Sequence, residues 1–325
     1  MKNTGLRIAP APAKDYLFLG SNHDLGTKII SEQGDLTSYL PRFENQFSGF
    51  DTWNCVAYSA LNAIEIYFNY LYRESLLTAR NIEWFINNGY LEDGVFNFSD
   101  RFTGIKSGTK YKIGNYGSTV AEAIHKYGLI PEKMLPFDTA TPEEYYNKGA
   151  VTKKMDELAE EFNKRFTINF QVVWLTDIQE SLKYGAVQVY VGPWRKHADT
   201  GLYYYTGEKW GHAVGRYRSL TKQILDHYEP YIKSLTTDYN YYPSGYLYTV
   251  TQTINFMDVD KFLKDNDLLF VRNKKIGQFG RIMQGKLKVV KTTDRGTLLL
   301  LDDAVRKNGR TLTEDEWDIL PKTNF

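Results

Sequence analysis

The chain has 325 residues, with 40 Lys or Arg against 39 Asp or Glu and a formal charge of +1. That balance offers no global argument for a nucleic-acid or membrane-surface partner, and none is expected; no apolar run approaches the roughly 18 residues a membrane-crossing helix needs. A single cysteine excludes an internal disulfide, while the length allows a full-sized core, read here as a main domain with a small appendage.

Residues 1–40, with Pro10-Ala11-Pro12 and several glycines, carry little periodicity and read as an arm with one short strand. The stretch from Met1 to Gly5 lacks the apolar run of a secretory signal, so the expectation is a cytosolic protein or one packaged without export. From Cys55, the residues Ala57, Leu61, Ile64, Phe68 and Leu71 recur at steps of three and four, the stripe of a buried amphipathic helix. Further helices are expected over 78–87, from Ser118 to a Tyr127-Gly128 stop, over 156–166 and over 178–184. Residues 186–191 then alternate as a half-buried strand, and the period of two continues at 201–205, 212–217, 223–226 and 246–253. Helices followed by strands is the order of a two-lobed α+β domain, placed at 41–255, whose strands form a twisted antiparallel sheet or barrel. Beyond it, strands at 270–272, 277–283 and 286–290 and a helix near 298–306 make 256–325 a small separate module, suited to docking a protein partner.

A thiol attacks as its thiolate, and a helix N-terminus beside an imidazolium favours that form. Cys55 opens its helix after Asp51-Thr52-Trp53-Asn54, a run with capping residues. By position alone it fits a nucleophile or an inert buried thiol, the commoner fate of a lone cysteine. Its neighbours favour the first. Asn45-Gln46, a loop, and then Trp53-Asn54-Cys55-Val56-Ala57-Tyr58-Ser59-Ala60 resembles the nucleophile segment of the papain/cathepsin cysteine peptidases. The glycine and second cysteine of that segment are missing, and Val56 stands where the family has tryptophan. Gly114-Asn115-Tyr116-Gly117-Ser118 is similar to the family's glycine-rich segment, with Asn115 in place of its second glycine. Trp210-Gly211-His212-Ala213-Val214-Gly215 resembles its histidine strand, and Asp226-His227-Tyr228 stands where it has Asn followed by Ser and Trp. The four segments occur in family order between about residues 41 and 250.

The resemblance implies a papain-like fold with a helical left lobe and an antiparallel β-barrel-like right lobe, and a cysteine-type endopeptidase acting on peptide or protein substrates through a thioester. In that reading Cys55 is the nucleophile, and His212 the general acid and base that protonates the leaving amine and then activates water. Asp226 orients the ring, and Gln46 with the Cys55 N–H holds the oxyanion. Gly114, Asn115, Gly117 and Trp210 would lie along the substrate, and Tyr228 would shield the imidazole–acid bond. His227 is expected on the opposite strand face, and His23, His125 and His197 at the surface. The sequence has no Cys-x-x-Cys, His-Glu-x-x-His, Gly-x-Gly-x-x-Gly or phosphate loop, so no metal, cofactor or nucleotide is expected. Three alternatives stay open. One is an amidase of the same clan that cuts peptidoglycan stem peptides or isopeptide bonds. Another is a papain-fold structural component of a virus particle, since the tail resembles extensions on phage-encoded papain-like proteins. The third is a peptide-binding module with a dead site.

Overall fold

In a computed structural model of the chain, the apolar stripe from Cys55 folds as one 19-residue helix, α1 (Cys55–Arg73). Every residue from Cys55 to Tyr70 is buried, so α1 is enclosed on all sides rather than on one stripe. The structure describes residues 5–7, 28–208, 211–239 and 241–252, and beyond them five strands and Val305. The chain divides into two compact units, 1–252 and 253–325.

In the first unit, Leu6–Arg7 forms a short strand, β1. Residues 30–36 are tied to the body, because Ile30 N donates to Lys183 O and Leu36 N to Tyr217 O. After α1, helix α2 (Ala79–Asn88) starts at Thr78, whose side chain accepts from Asn81 N, and ends at left-handed Gly89. Helix α3 (Asp100–Ser107), not expected from the sequence, has the same signals in its Ser99 cap and Gly108 stop. Then come β2 (Asn115–Tyr116), α4 (Gly117–Tyr127) and α5 (Lys153–Arg165). Phe68 of α1 centres the left-lobe core, its ring 5.0 to 5.8 Å from those of Phe85, Phe96, Phe98, Phe162 and Phe166.

The chain leaves α5 directly into β3 (Phe166–Trp174), a nine-residue strand whose Phe166, Ile168 and Phe170 alternate with polar residues. Beyond the short α6 (Ile178–Ser181) lie β4 (Val187–Val191), a hairpin of β5 (Trp194–Lys196) and β6 (Tyr203–Tyr205), then β7 (His212–Arg216), β8 (Gln223–Leu225), β9 (Ile232–Ser234) and β10 (Ser244–Gln252). They pair in the order β9-β8-β7-β4-β10-β3, antiparallel throughout. The sheet stays open, so the right lobe is a sheet and not a closed barrel. Tyr190, Ala213, Leu225, Tyr246 and Tyr248 face the core shared with α1. Val187, Val189, Val214, Ile224 and Leu247 pack on the other side beneath Ile178, Leu182, Leu235, Tyr239 and Tyr241. The strand over 187–191 is therefore buried on both faces rather than half-buried.

The second unit is a five-stranded sheet of β11 (Phe270–Asn273), β12 (Phe279–Met283), β13 (Lys286–Val290), β14 (Arg310–Leu312) and β15 (Lys322–Asn324), ordered β14-β11-β12-β13-β15. Strands β11 to β13 form an antiparallel meander, and both outer strands join in parallel. The expected helix near 298–306 lies outside the described residues except at Val305. Among the described residues no helix is long and apolar enough to cross a membrane.

Candidate active site

Cys55 is the first residue of α1 and is fully buried. Asn54 holds the cap position, but its side chain donates to the Asp100 carbonyl at 2.8 Å and to Tyr145 Oη at 3.1 Å, so no side chain caps the first turn. The positive end of the helix is thus left to the sulfur and whatever meets it. The turn is anchored to the sheet by Gln188 of β4, whose Nε2 donates to Val56 O at 2.8 Å and to Ser59 Oγ at 2.7 Å. Trp53, two residues before the thiol, takes a left-handed φ of 59°, a conformation an L residue holds only when its surroundings compel it.

Strand β7 brings His212 to this helix end. Its Nε2 donates to Asp226 Oδ1 at 2.7 Å, both residues being almost wholly buried, which leaves Nδ1 for the thiol. Nδ1 is buried without a hydrogen bond of good geometry, and Cys55, after Asp226, is a neighbour that raises the ring's pKa. Burial by itself lowers the His212 pKa, but Asp226, through charge and hydrogen bond, and then Cys55 raise it to about 10. The paired carboxylate thus favours the protonated ring. Burial likewise tends to raise the Asp226 carboxyl, and the charge and hydrogen bond of His212, with the charge of Lys233, instead hold it well below the usual carboxylate range.

Asp226 lies one residue past the end of β8 and carries more than the sequence reading gave it. Its Oδ1 also accepts from His227 N at 2.8 Å, and its Oδ2 from the buried Lys233 Nζ at 2.6 Å. His227 was expected on the opposite face, but the strand stops at Leu225 and its alternation stops with it. The His227 ring instead packs 4.8 Å from that of His212 and 5.3 Å from Tyr58. Burial, then the His212 charge, lowers its pKa to about 3, so it stays neutral. Tyr228 lies obliquely against His212 at 5.4 Å, and the Trp194 ring meets it edge-on at 5.6 Å. Nothing local in the sequence marked Trp194 or Lys233 for the site.

Gln46 is buried beside this cluster. Its Nε2 donates to Asp51 Oδ1 at 2.9 Å and to Tyr228 Oη, while Tyr228 Oη donates to Asp51 Oδ2 at 2.6 Å. Both amide hydrogens are engaged in the resting site, and Oε1 is buried without a partner. Asp51, overlooked in the sequence, also accepts from Trp53 N at 2.9 Å, so it fixes both the amide and the loop that leads to Cys55.

The chain's own residues 5–7 lie against this thiol. Strand β1 pairs in parallel with β2, Leu6 opposite Asn115 and Arg7 opposite Tyr116, and Asn115 N donates to Gly5 O at 2.8 Å. Gly114, at φ 74°, passes so close to Gly5 that a Cβ would collide with the Gly5 carbonyl. The Asn115 side chain turns inward to Ser107 O and Thr109 Oγ1, so only its backbone meets this segment. Gly117, expected beside the substrate, instead makes room for the Tyr190 hydroxyl and is a packing residue. Trp210 lies outside the described residues. A pocket of about 330 Å³ opens nearby between Gly108, Lys110, Tyr111 and Tyr146, the last donating to Thr52 O at 2.5 Å.

Among the described residues, His212, Asp226 and His227 are the one grouping close enough to share a cation, their ligand atoms lying within 4.8 Å of one another. An ammonium already sits on Asp226 Oδ2, so a cation there would face like charge.

No protein-family model and no curated protein matches the sequence. Solved structures to which the chain is similar include xylellain, a cysteine protease from Xylella fastidiosa, at 14% identity over 76% of this chain and 97% of that one, with a TM-score of 0.48. Procathepsin L 3 of the Tenebrio molitor larval midgut is 15% identical over 73% of this chain and 75% of its own, with a TM-score of 0.42. A recombinant stem bromelain precursor is 14% identical over 66% and 68%, with a TM-score of 0.38. The chain is similar to cysteine proteases of the papain-like kind, and the chemistry of its site rests on its own residues.

Proposed function

We propose that the protein is a cysteine-type peptidase that cleaves peptide bonds through a thioester on Cys55. The observation that carries this reading is the burial together, at the open end of α1, of a lone thiol and an imidazole whose far nitrogen is tied to a carboxylate at 2.7 Å. The Cys55 thiolate attacks the carbonyl carbon, and the oxyanion that forms is met by the Cys55 N–H and by Gln46 once its amide releases Tyr228. The His212 imidazolium gives its Nδ1 proton to the leaving amine, and the C–N bond breaks to leave the thioester. Neutral His212 then takes a proton from water as the oxygen attacks the thioester, and the acid leaves with the thiolate restored. Asp226 holds the ring in one tautomer throughout.

An extended peptide as substrate is supported by the Gly5–Leu6–Arg7 segment, which engages Asn115 backbone to backbone. A Cβ on Gly5 would lie 2.9 Å from Cys55 Sγ, and this tight fit favours a second reading, an amidase for glycine-containing cross-links such as those of cell walls. Hydrolysis of casein and of purified cell walls by wild type, Cys55→Ala and His212→Ala proteins tests both. Either substrate should be cut by wild type alone, with at least a ~100-fold loss in each variant. Equal rates in all three proteins would sink the reading.

A further inference from the structure

Lys233 on β9 is 3% exposed, and its ammonium reaches three acceptors: Asp226 Oδ2 at 2.6 Å, Tyr228 O at 2.7 Å and Pro230 O at 2.6 Å. Those three bonds use every ammonium hydrogen. The turn that carries Asp226 is wrapped around the cation, since Asp226 N also donates to Tyr231 O at 2.7 Å. The Trp194 and Tyr203 rings lie 5.7 and 5.8 Å from Nζ, and Trp194 is the same ring that meets His212. A surface lysine needs none of this. A buried carboxylate that must stay ionised beside an imidazole does, because an unpaired charge in such a place is strongly disfavoured.

We propose that Lys233 is a positioning residue: its ammonium pins the Asp226 carboxylate and offsets part of its charge, so that His212 meets an oriented acceptor with a weaker hold on its proton. The proposal rests on the reading of Cys55 and His212 as the reacting pair. Without the ammonium the Asp226 carboxylate, which already raises His212, would hold the imidazolium more firmly still, and the ring that must go neutral to activate water would give up its proton less readily. With Lys233 present, part of the carboxylate's charge is offset while its oxygen stays aimed at the ring. The other titratable groups facing the pair are Cys55 and Tyr58 of α1, His227 and Tyr228 in the turn, Tyr203 of β6, and Tyr239. None of them is a second cation held on Asp226 Oδ2.

A double-mutant cycle in the full chain tests this, with wild type, Lys233→Met, Asp226→Asn and the double variant compared by kcat/KM and by NMR of the His212 ring. Asp226→Asn strands the ammonium and should lose more than about 100-fold in kcat/KM. The double variant, which has no stranded ammonium, should recover at least about tenfold over Asp226→Asn. In Lys233→Met, His212 should keep its proton to higher pH than in wild type and its Nε2–H resonance should move to lower field. The proposal is overturned if the two single losses simply multiply in the double variant. It is also overturned if Lys233→Met leaves the His212 titration and resonance unmoved while activity falls only in step with melting temperature, the mark of a purely structural lysine. Should Lys233→Met not fold, the double variant decides: no recovery over Asp226→Asn overturns the proposal. If wild type neither hydrolyses peptides nor takes a label at Cys55, the peptidase reading fails, while the His212 resonance, which needs no turnover, still decides the role of Lys233.

Discussion

Gly5 lies against Cys55 so closely that a Cβ on it would sit 2.9 Å from Sγ and 2.7 Å from the Trp53 carbonyl. Its carbonyl accepts from Asn115 N, so the segment lies against the thiol with that carbonyl paired. Leu6 anchors it, 6% exposed and packed on Gly211. Gly5→Val or removal of residues 1–7 should therefore uncover the thiol and raise kcat/KM for a peptide substrate by about tenfold or more, equivalent to roughly 1.4 kcal/mol of competition. Unchanged rates in both variants would show that the arm does not compete with substrate.

The Gln46 amide stands in a network with Asp51 and Tyr228. If it turns to the oxyanion during attack, Gln46→Ala should lower kcat by about 10²–10³ with little change in KM. Asp51→Ala, which frees the amide without removing it, should cost less. A Gln46→Ala protein that melts earlier but turns over normally would reduce Gln46 to a structural link.

His227 gives the fold an acid limit. Its folded pKa, about 3, lies below the ordinary histidine value, so the unfolded chain takes up a proton that the folded one refuses. Its contribution is intact above about pH 6.5 and is lost as pH falls towards 3, by up to about tenfold in the folding constant per pH unit. His227→Phe, which keeps an aromatic ring against Tyr58, should move the acid unfolding midpoint to lower pH. A midpoint that stays put or rises would contradict this.

Glu65 is buried on α1, accepting from Phe98 N at 2.8 Å. Burial and then the nearby Glu44 raise its carboxyl well above the usual range. The folded state therefore holds the proton more tightly, and stability falls as pH climbs from the ordinary carboxylate value towards the raised one. Glu65→Gln can still accept from Phe98 N and needs no proton, so its melting temperature at pH 8 should rise by about 2–5 °C and depend less on pH. A lower melting temperature at pH 8 with an unchanged pH dependence would refute the assignment.

What the sequence revealed of this site was local. Cys55 at the start of an apolar helical repeat and His212 in a β-rich stretch could be read from neighbours within ten residues, and the structure brings both to one place with Asp226. The partners that tune them come from elsewhere. Asp51 meets Gln46 through a loop, Trp194 arrives on a separate hairpin, and Lys233 returns on the next strand after a turn. No periodicity encodes those encounters. His227 was misplaced because alternation was carried past the strand end at Leu225. For β3 the signal was present in the alternation from Phe166 to Phe170, and α3 had its Ser99 and Gly108 signals, so both were legible and overlooked.

The central claim, a Cys55 nucleophile armed by His212, is tested most directly by mass spectrometry after exposure to a peptidyl epoxide or vinyl sulfone, in wild type and His212→Ala, each with and without residues 1–7. The account predicts one adduct, on Cys55, forming at least about 100-fold faster with His212 than without it and faster again once the arm is gone. No adduct in the trimmed wild-type protein, or one that forms equally fast without the imidazole, would contradict it.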